Sequence, residues 1–214
     1  MACPERSPLS KAVVSGLVRA AALALLTTLT LIAAASPTAA QMALASTDLR
    51  LASDGTGGGS LAVRLTYPAS VAEYRYPDGA PVVIFLPGGF GPGSLGAAPE
   101  LAQQGFVLVT FLYPGGAQGP IASDGQYDYR GDNCQRAVRD VIRFAEGAAT
   151  DTLGRAIDDI VPGPVHPGIV GLAPYSNGLI GLVTLDRYGA EIPYAPYQSG
   201  WENPTSPQII TSDL

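Results

Sequence analysis

The sequence predicts an α/β protein built on a mostly parallel sheet with helices on both faces. Three observations carry that expectation. Residues 81–86 (PVVIFL), 106–113 (FVLVTFLY) and 168–173 (GIVGLA) are continuous apolar runs, the pattern of strands buried on both faces. Stretches of helical periodicity fall between and after them, which is the βαβ order of a parallel sheet. Hydrophobic residues make up 47% of the 214-residue chain and charged residues only 14%, a balance that argues against disorder and for a well-buried core.

The first residues have a different character. Arg6, Lys11 and Arg19 precede sixteen uncharged residues, 20–35, and small residues follow. A basic start, an apolar core of that length and an A-x-A-like end are the pattern of a secretory signal peptide. The expected organisation is a signal peptide at 1–40, with cleavage as late as 45, a flexible N-terminal segment at 41–60 and a folded domain at 61–214. Sixteen residues fall short of the ~20 that span a bilayer, so no stable membrane anchor is expected after cleavage. Cleavage after Ala40 removes Glu5 and three basic residues and leaves 17 acidic against 9 basic side chains, a net charge of −8. It also removes Cys3, so Cys134 remains without a disulfide partner.

Within the domain, residues 61–67 (LAVRLTY) alternate and predict a strand, with 71–76 a second candidate before the Pro77-Asp78-Gly79 turn. A short helix is expected over 95–104, ended by Gly105. The best-defined helix starts at Asp132, which with Gln135 forms a D-x-x-Q capping box. Cys134, Ala137, Val138, Val141, Ile142 and Ala145 share one face. Arg136, Arg139, Asp140 and Arg143 form a charged stripe expected to be solvated. A polar insertion with Asp151, Asp158 and Asp159 follows. After the 168–173 strand a further helix is expected over 177–188, ended by Gly189. Beyond Ile192 only a possible short strand stands out.

Several function classes are excluded at this level. A net charge of −6 without a basic cluster argues against nucleic acid. One His and two distant Cys are too few for a His/Cys zinc site, and no cofactor is expected. Residues 91–96 (GPGSLG) match G-x-G-x-x-G. The next strand ends without the acidic residue a ribose requires, and four residues separate the preceding strand from the first Gly, so a dinucleotide site is not expected.

FLPGG at 85–89 and FLYPGG at 111–116 each sit at the carboxyl end of a predicted strand, and deliver two loops to one edge of the sheet, where ligands bind in open α/β folds. The strand at 168–173 runs into Pro174-Tyr175-Ser176-Asn177-Gly178 and then a helix. That is the strand–nucleophile–helix context of G-x-S-x-G, with Gly178 two after the Ser and Pro174 where the first Gly would stand. From the pentapeptide alone, Ser176 as a nucleophile and Ser176 as a helix cap are equally open.

Residues 81–188 resemble the α/β-hydrolase superfamily, most closely its secreted esterase and dienelactone-hydrolase-like branches. Leu86-Pro87-Gly88-Gly89-Phe90 is similar to the H-G-G-type oxyanion loop of that superfamily, with Pro87 where His often sits. The resemblance implies Ser176 as nucleophile attacking a small-molecule ester or acyl carbonyl. It implies the backbone N–H groups of Asn177 and of Gly89 or Phe90 as oxyanion donors. It also implies an acid and then a His after the Ser, and here the sequence departs: Asp186, Glu191, Glu202 and Asp213 follow Ser176, but no His does. His166 precedes the strand that ends at the Ser and is expected at the opposite end of the sheet. Glu202 is the late carboxylate whose loop could reach the site, or else it lies on the surface. Two expectations follow. The chain is a truncated hydrolase without its C-terminal βα units, or it is a non-catalytic ligand-binding relative on the same scaffold.

Overall fold

The computed structural model describes residues 42–194 and 196–199. The signal segment, Glu202 and residues 208–210 lie outside the described residues. Nine strands are described: β1 (Leu44–Ala52), β2 (Ser60–Pro68), β3 (Ala80–Leu86), β4 (Gly93–Ser94), β5 (Val107–Leu112), β6 (Ala117–Gln118), β7 (Ile121–Ala122), β8 (Val165–Pro174) and β9 (Tyr197–Gln198). Three α-helices join them: α1 (Pro99–Gln103), α2 (Asp132–Ala145) and α3 (Ile180–Tyr188). The main sheet has the order β1-β2-β5-β3-β8-β9; β6 and β7 form a separate hairpin. β5, β3, β8 and β9 are parallel, while β1 and β2 are antiparallel to their neighbours.

The parallel centre follows from the apolar runs. Every residue of β5 is buried, and Ala80, Val82, Ile84 and Leu86 of β3 are buried at alternate positions. The chain leaves β3 for β5 on one side and later returns to β8 on the other. Right-handed crossovers in opposite directions put α1 on one face and α2 on the other. α3 packs beside α2, where the Tyr188 hydroxyl donates to Asp132 at 2.9 Å. The loops after β3 and β8 therefore lead to opposite faces. The crevice between the carboxyl ends of these two strands is the topological switch point, the usual ligand position in such sheets.

Four expectations need correction. Residues 41–60 are not a flexible segment: β1 pairs along its whole length with β2, and Leu49 and Leu51 enter the core. Of the glycines that follow, Gly55 and Gly59 serve close approach, a Cβ on Gly55 lying 2.3 Å from the carbonyl oxygen of Asn133 at the start of α2, while Gly57 and Gly58 have open surroundings and positive φ. Residues 71–76 are no strand; Ser70 and Glu73 cap a 3-10 turn over Val71–Glu73. The expected helix over 95–104 shrinks to α1, because the Leu95 amide and carbonyl are taken by the Gln118 and Thr110 side chains and Ala98 has a left-handed φ of +52°. Asp132 is not the cap of α2. Asp128 takes that part, accepting from the amides of Asn133 at 2.6 Å and Cys134 at 3.2 Å.

The charged stripe on α2 is also only half solvated. Arg139 is 5% exposed and binds Asp54 at 2.7 Å and Glu191 at 2.9 Å, with Asp140 beside it on the helix. A buried guanidinium needs this many carboxylates because an unpaired charge in the interior is costly. Cys134 is fully buried in the core, and burial pushes its thiol up to about 12.

Candidate active site

The two loops expected at one edge do meet there. β3 and β5 run parallel, so the Pro87–Phe90 and Tyr113–Gly116 loops leave the same end of the sheet. They are tied together where the Tyr113 amide donates to the Pro92 carbonyl at 2.7 Å. The glycine-rich stretch 91–96 forms β4 against β5 and opens no helix, in keeping with the exclusion of a dinucleotide turn.

Ser176 follows β8 after one residue, Tyr175, and starts a 3-10 turn, Ser176–Leu179, that continues into α3. Its φ is +50°, in the left-handed region that a non-glycine residue enters at a cost. An N-cap serine has extended φ/ψ, so this backbone excludes the capping alternative; Leu179 takes the position before the helix instead. A strained serine between a buried strand and a helix is the geometry that lifts a side chain above a sheet edge.

The β3 loop packs directly on that turn. A Cβ on Gly88 would lie 2.6 Å from the Tyr175 carbonyl oxygen and 2.8 Å from the Ser176 Cβ. Only glycine lets the two backbones come this close. Gly89 differs: its surroundings are open, but its φ of +68° suits glycine. Phe90 and Tyr175 are both exposed beside the turn. Asn177 lies one residue into the 3-10 turn. Gly88 stands in the loop sequence with nothing local to mark its role. Its spacing to a serine 88 residues later was not readable from one sequence.

The other candidates stand apart. His166 is at the amino end of β8, about 30 Å from Ser176 along an extended strand, and cannot serve as its base. Glu191 is held by Arg139. Asp186 lies exposed on α3. Two cavities of about 200 and 210 Å³, one beside Ser53, Asp54 and Asp140 and one beside Leu185, Ile192 and Tyr194, are lined by none of the loop or turn residues. Among the described residues no cluster of His, Cys, Asp and Glu is arranged to hold a metal, and no helix is long and apolar enough to cross a membrane.

No family profile and no curated protein matches the chain. Solved structures do. A hypothetical protein of Pseudomonas aeruginosa is 20% identical, with a TM-score of 0.46 over 77% of this chain and 45% of its own. Brefeldin A esterase, a bacterial homologue of human hormone-sensitive lipase, is 16% identical, with a TM-score of 0.42 over 72% of this chain and 38% of its own. A dienelactone hydrolase-like promiscuous phosphotriesterase from metagenomic libraries is 16% identical, with a TM-score of 0.45 over 74% of this chain and 60% of its own. The chain thus spans about half the length of the proteins it matches. Likenesses of this size assign neither family nor activity, and the functional reading rests on the chain's own residues.

Proposed function

We propose that this chain is a serine hydrolase of the α/β-hydrolase type, exported and acting on small carboxylic esters, with Ser176 as its nucleophile. One observation carries the reading: Ser176 holds a left-handed backbone at the end of a buried strand, with the Gly88–Gly89 loop packed against it. Ser176 Oγ attacks the ester carbonyl. The Asn177 N–H and the N–H of Gly89 or Phe90 receive the oxyanion, a type of donor worth ~3 kcal/mol each in acyl transfer. Loss of the alcohol leaves an acyl-serine, and water hydrolyses it.

Both proton transfers require a base. The single His of these 214 residues is at the wrong end of β8, and Glu202 remains a candidate acid only through its position in the sequence. Among the described residues no His stands near Ser176 to supply that base. Arg6, Lys11, Arg19 and the apolar run 20–35 support export. Cleavage after Ala40 leaves β1 whole, whereas cleavage after Ala45 removes its first two residues.

The absence of a histidine near Ser176 favours a second reading, a ligand-binding relative without turnover. A fluorophosphonate reagent separates the two. A nucleophilic Ser176 without its base gives slow labelling that is lost in Ser176→Ala and accelerated by added imidazole. Labelling that persists in Ser176→Ala, or no labelling even at high imidazole, leaves the binding protein as the reading.

A further inference from the structure

The turn before α2 holds an arrangement the mechanism has not used. Asp128 fixes the turn by accepting from the first amides of α2, and the next two residues, Tyr129 and Arg130, both have left-handed backbones, with φ of +51° and +73°. Consecutive left-handed residues that are not glycine are costly and persist only where the surrounding structure enforces them. Their effect is to send the Arg130 side chain inward.

Arg130 is 5% exposed, and its guanidinium lies 4.0 Å over the Tyr113 ring. Nη2 donates to the Pro87 carbonyl at 2.9 Å and reaches the Gly89 carbonyl at 3.4 Å. Nε and Nη1 are buried without a hydrogen-bond partner. Among the described residues no carboxylate forms an ion pair with it. Arg139, by contrast, is surrounded by carboxylates. A charge kept buried without an anion is not accounted for by stability alone.

The peptide unit supplies a reason. It is planar and trans, so the N–H of each residue points away from the carbonyl before it. A group that holds the carbonyls of Pro87 and Gly89 thereby turns the N–H groups of Gly88 and Phe90 to the other side. A cation bound to a carbonyl also polarises the N–H of the same peptide and strengthens it as a donor.

We propose that Arg130 is a positioning residue that orients and polarises the 87–90 loop, so that the Phe90 N–H is the loop's oxyanion donor. This rests on the hydrolase reading above and chooses between the two donors that the sequence left open. The test compares the wild-type chain with Arg130→Met, Arg130→Lys and Ser176→Ala. Amide hydrogen exchange gives a readout that needs no activity. In Arg130→Met the Tyr175 amide, which donates to the Leu86 carbonyl at the start of the loop, is expected to exchange about 10-fold faster, while Ile84 and Val109 in the adjacent strands stay within about 2-fold. Fluorophosphonate labelling with imidazole gives the second readout. The maximal rate is expected to fall on the order of 10- to 100-fold at an unchanged half-saturating reagent concentration. Arg130→Lys, which keeps the charge but reaches one carbonyl at a time, recovers part of both.

Should Arg130→Met fail to fold, the lysine variant carries the comparison. Unchanged Tyr175 exchange overturns the proposal, as does an unchanged labelling rate. A wild-type chain that shows no labelling dependent on Ser176 contradicts the hydrolase reading instead. The exchange measurement then decides by itself whether Arg130 holds the loop.

Discussion

Gly88→Ala places a methyl group where the β3 loop meets the Ser176 turn. The added carbon would lie 2.6 Å from the Tyr175 carbonyl oxygen, 2.8 Å from the Ser176 Cβ and 2.9 Å from the Tyr175 Cδ1. Carbon atoms in favourable contact are ~3.5–4.0 Å apart, so the loop and the turn must separate by roughly 1 Å. Two of the three opposing atoms belong to a backbone or to a Cβ, and neither can rotate away. Overpacking of this kind costs about 1–3 kcal/mol. For a domain of this size each kcal/mol lowers Tm by about 2–4 °C. A 1 Å displacement at the reacting geometry costs on the order of 100-fold in rate. Gly91→Ala is the control, since nothing lies within 4 Å of its added carbon and its φ is not positive. It should be neutral, or more stable by a few tenths of a kcal/mol through the unfolded chain. Gly89→Ala falls between, costing about 1–2 kcal/mol for its φ of +68° alone. Urea unfolding of the three variants gives the order, and imidazole-assisted labelling gives the functional effect. If Gly88→Ala unfolds at the same urea concentration as Gly91→Ala, the close packing of loop on turn is refuted.

Three further outcomes concern the rest of the domain. Arg139→Met leaves Asp140, itself 8% exposed, without its cation and should destabilise by about 3–5 kcal/mol in urea titrations. Glu146 is 4% exposed, and burial raises its carboxyl from 4.5 to about 7. The native state therefore binds this proton more tightly than the unfolded chain. Its contribution to stability is fully present below about pH 4.5 and is lost as pH rises to about 7, a fall on the order of 3 kcal/mol. Glu146→Gln should flatten that part of the pH profile of chemical unfolding. Cys134 should resist thiol reagents in the native protein at neutral pH and react at once in denaturant, since burial holds it as the neutral thiol.

The parallel centre of the sheet was legible because strands buried on both faces leave an unbroken apolar run, as residues 107–112 do. β1 carried a readable alternation, with Leu49 and Leu51 directed inward, but the expected signal peptide before it and the glycines after it suggested a linker. Two of those glycines answer to close contacts with parts of the chain far away in sequence, Gly55 with Asn133 and Gly59 with Asp124. The burial of Arg139 was hidden for the same reason, because Asp54 and Glu191 come from either side of the helix in the chain. At the site, Ser176 and the 87–90 loop could be read from local motifs. The left-handed backbone that separates a nucleophile turn from a helix cap could not. Gly88 and Arg130 likewise take their meaning only from what the fold brings beside them.

The most direct test of Ser176 as a nucleophile is mass spectrometry of the Ser176 peptide after fluorophosphonate treatment, with and without imidazole. The expected result is a slowly formed adduct on Ser176 that accumulates faster with imidazole and is missing in Ser176→Ala. An unmodified Ser176 at high imidazole contradicts the nucleophile assignment. Rapid modification without imidazole contradicts the expectation that no residue of the described domain acts as base to Ser176.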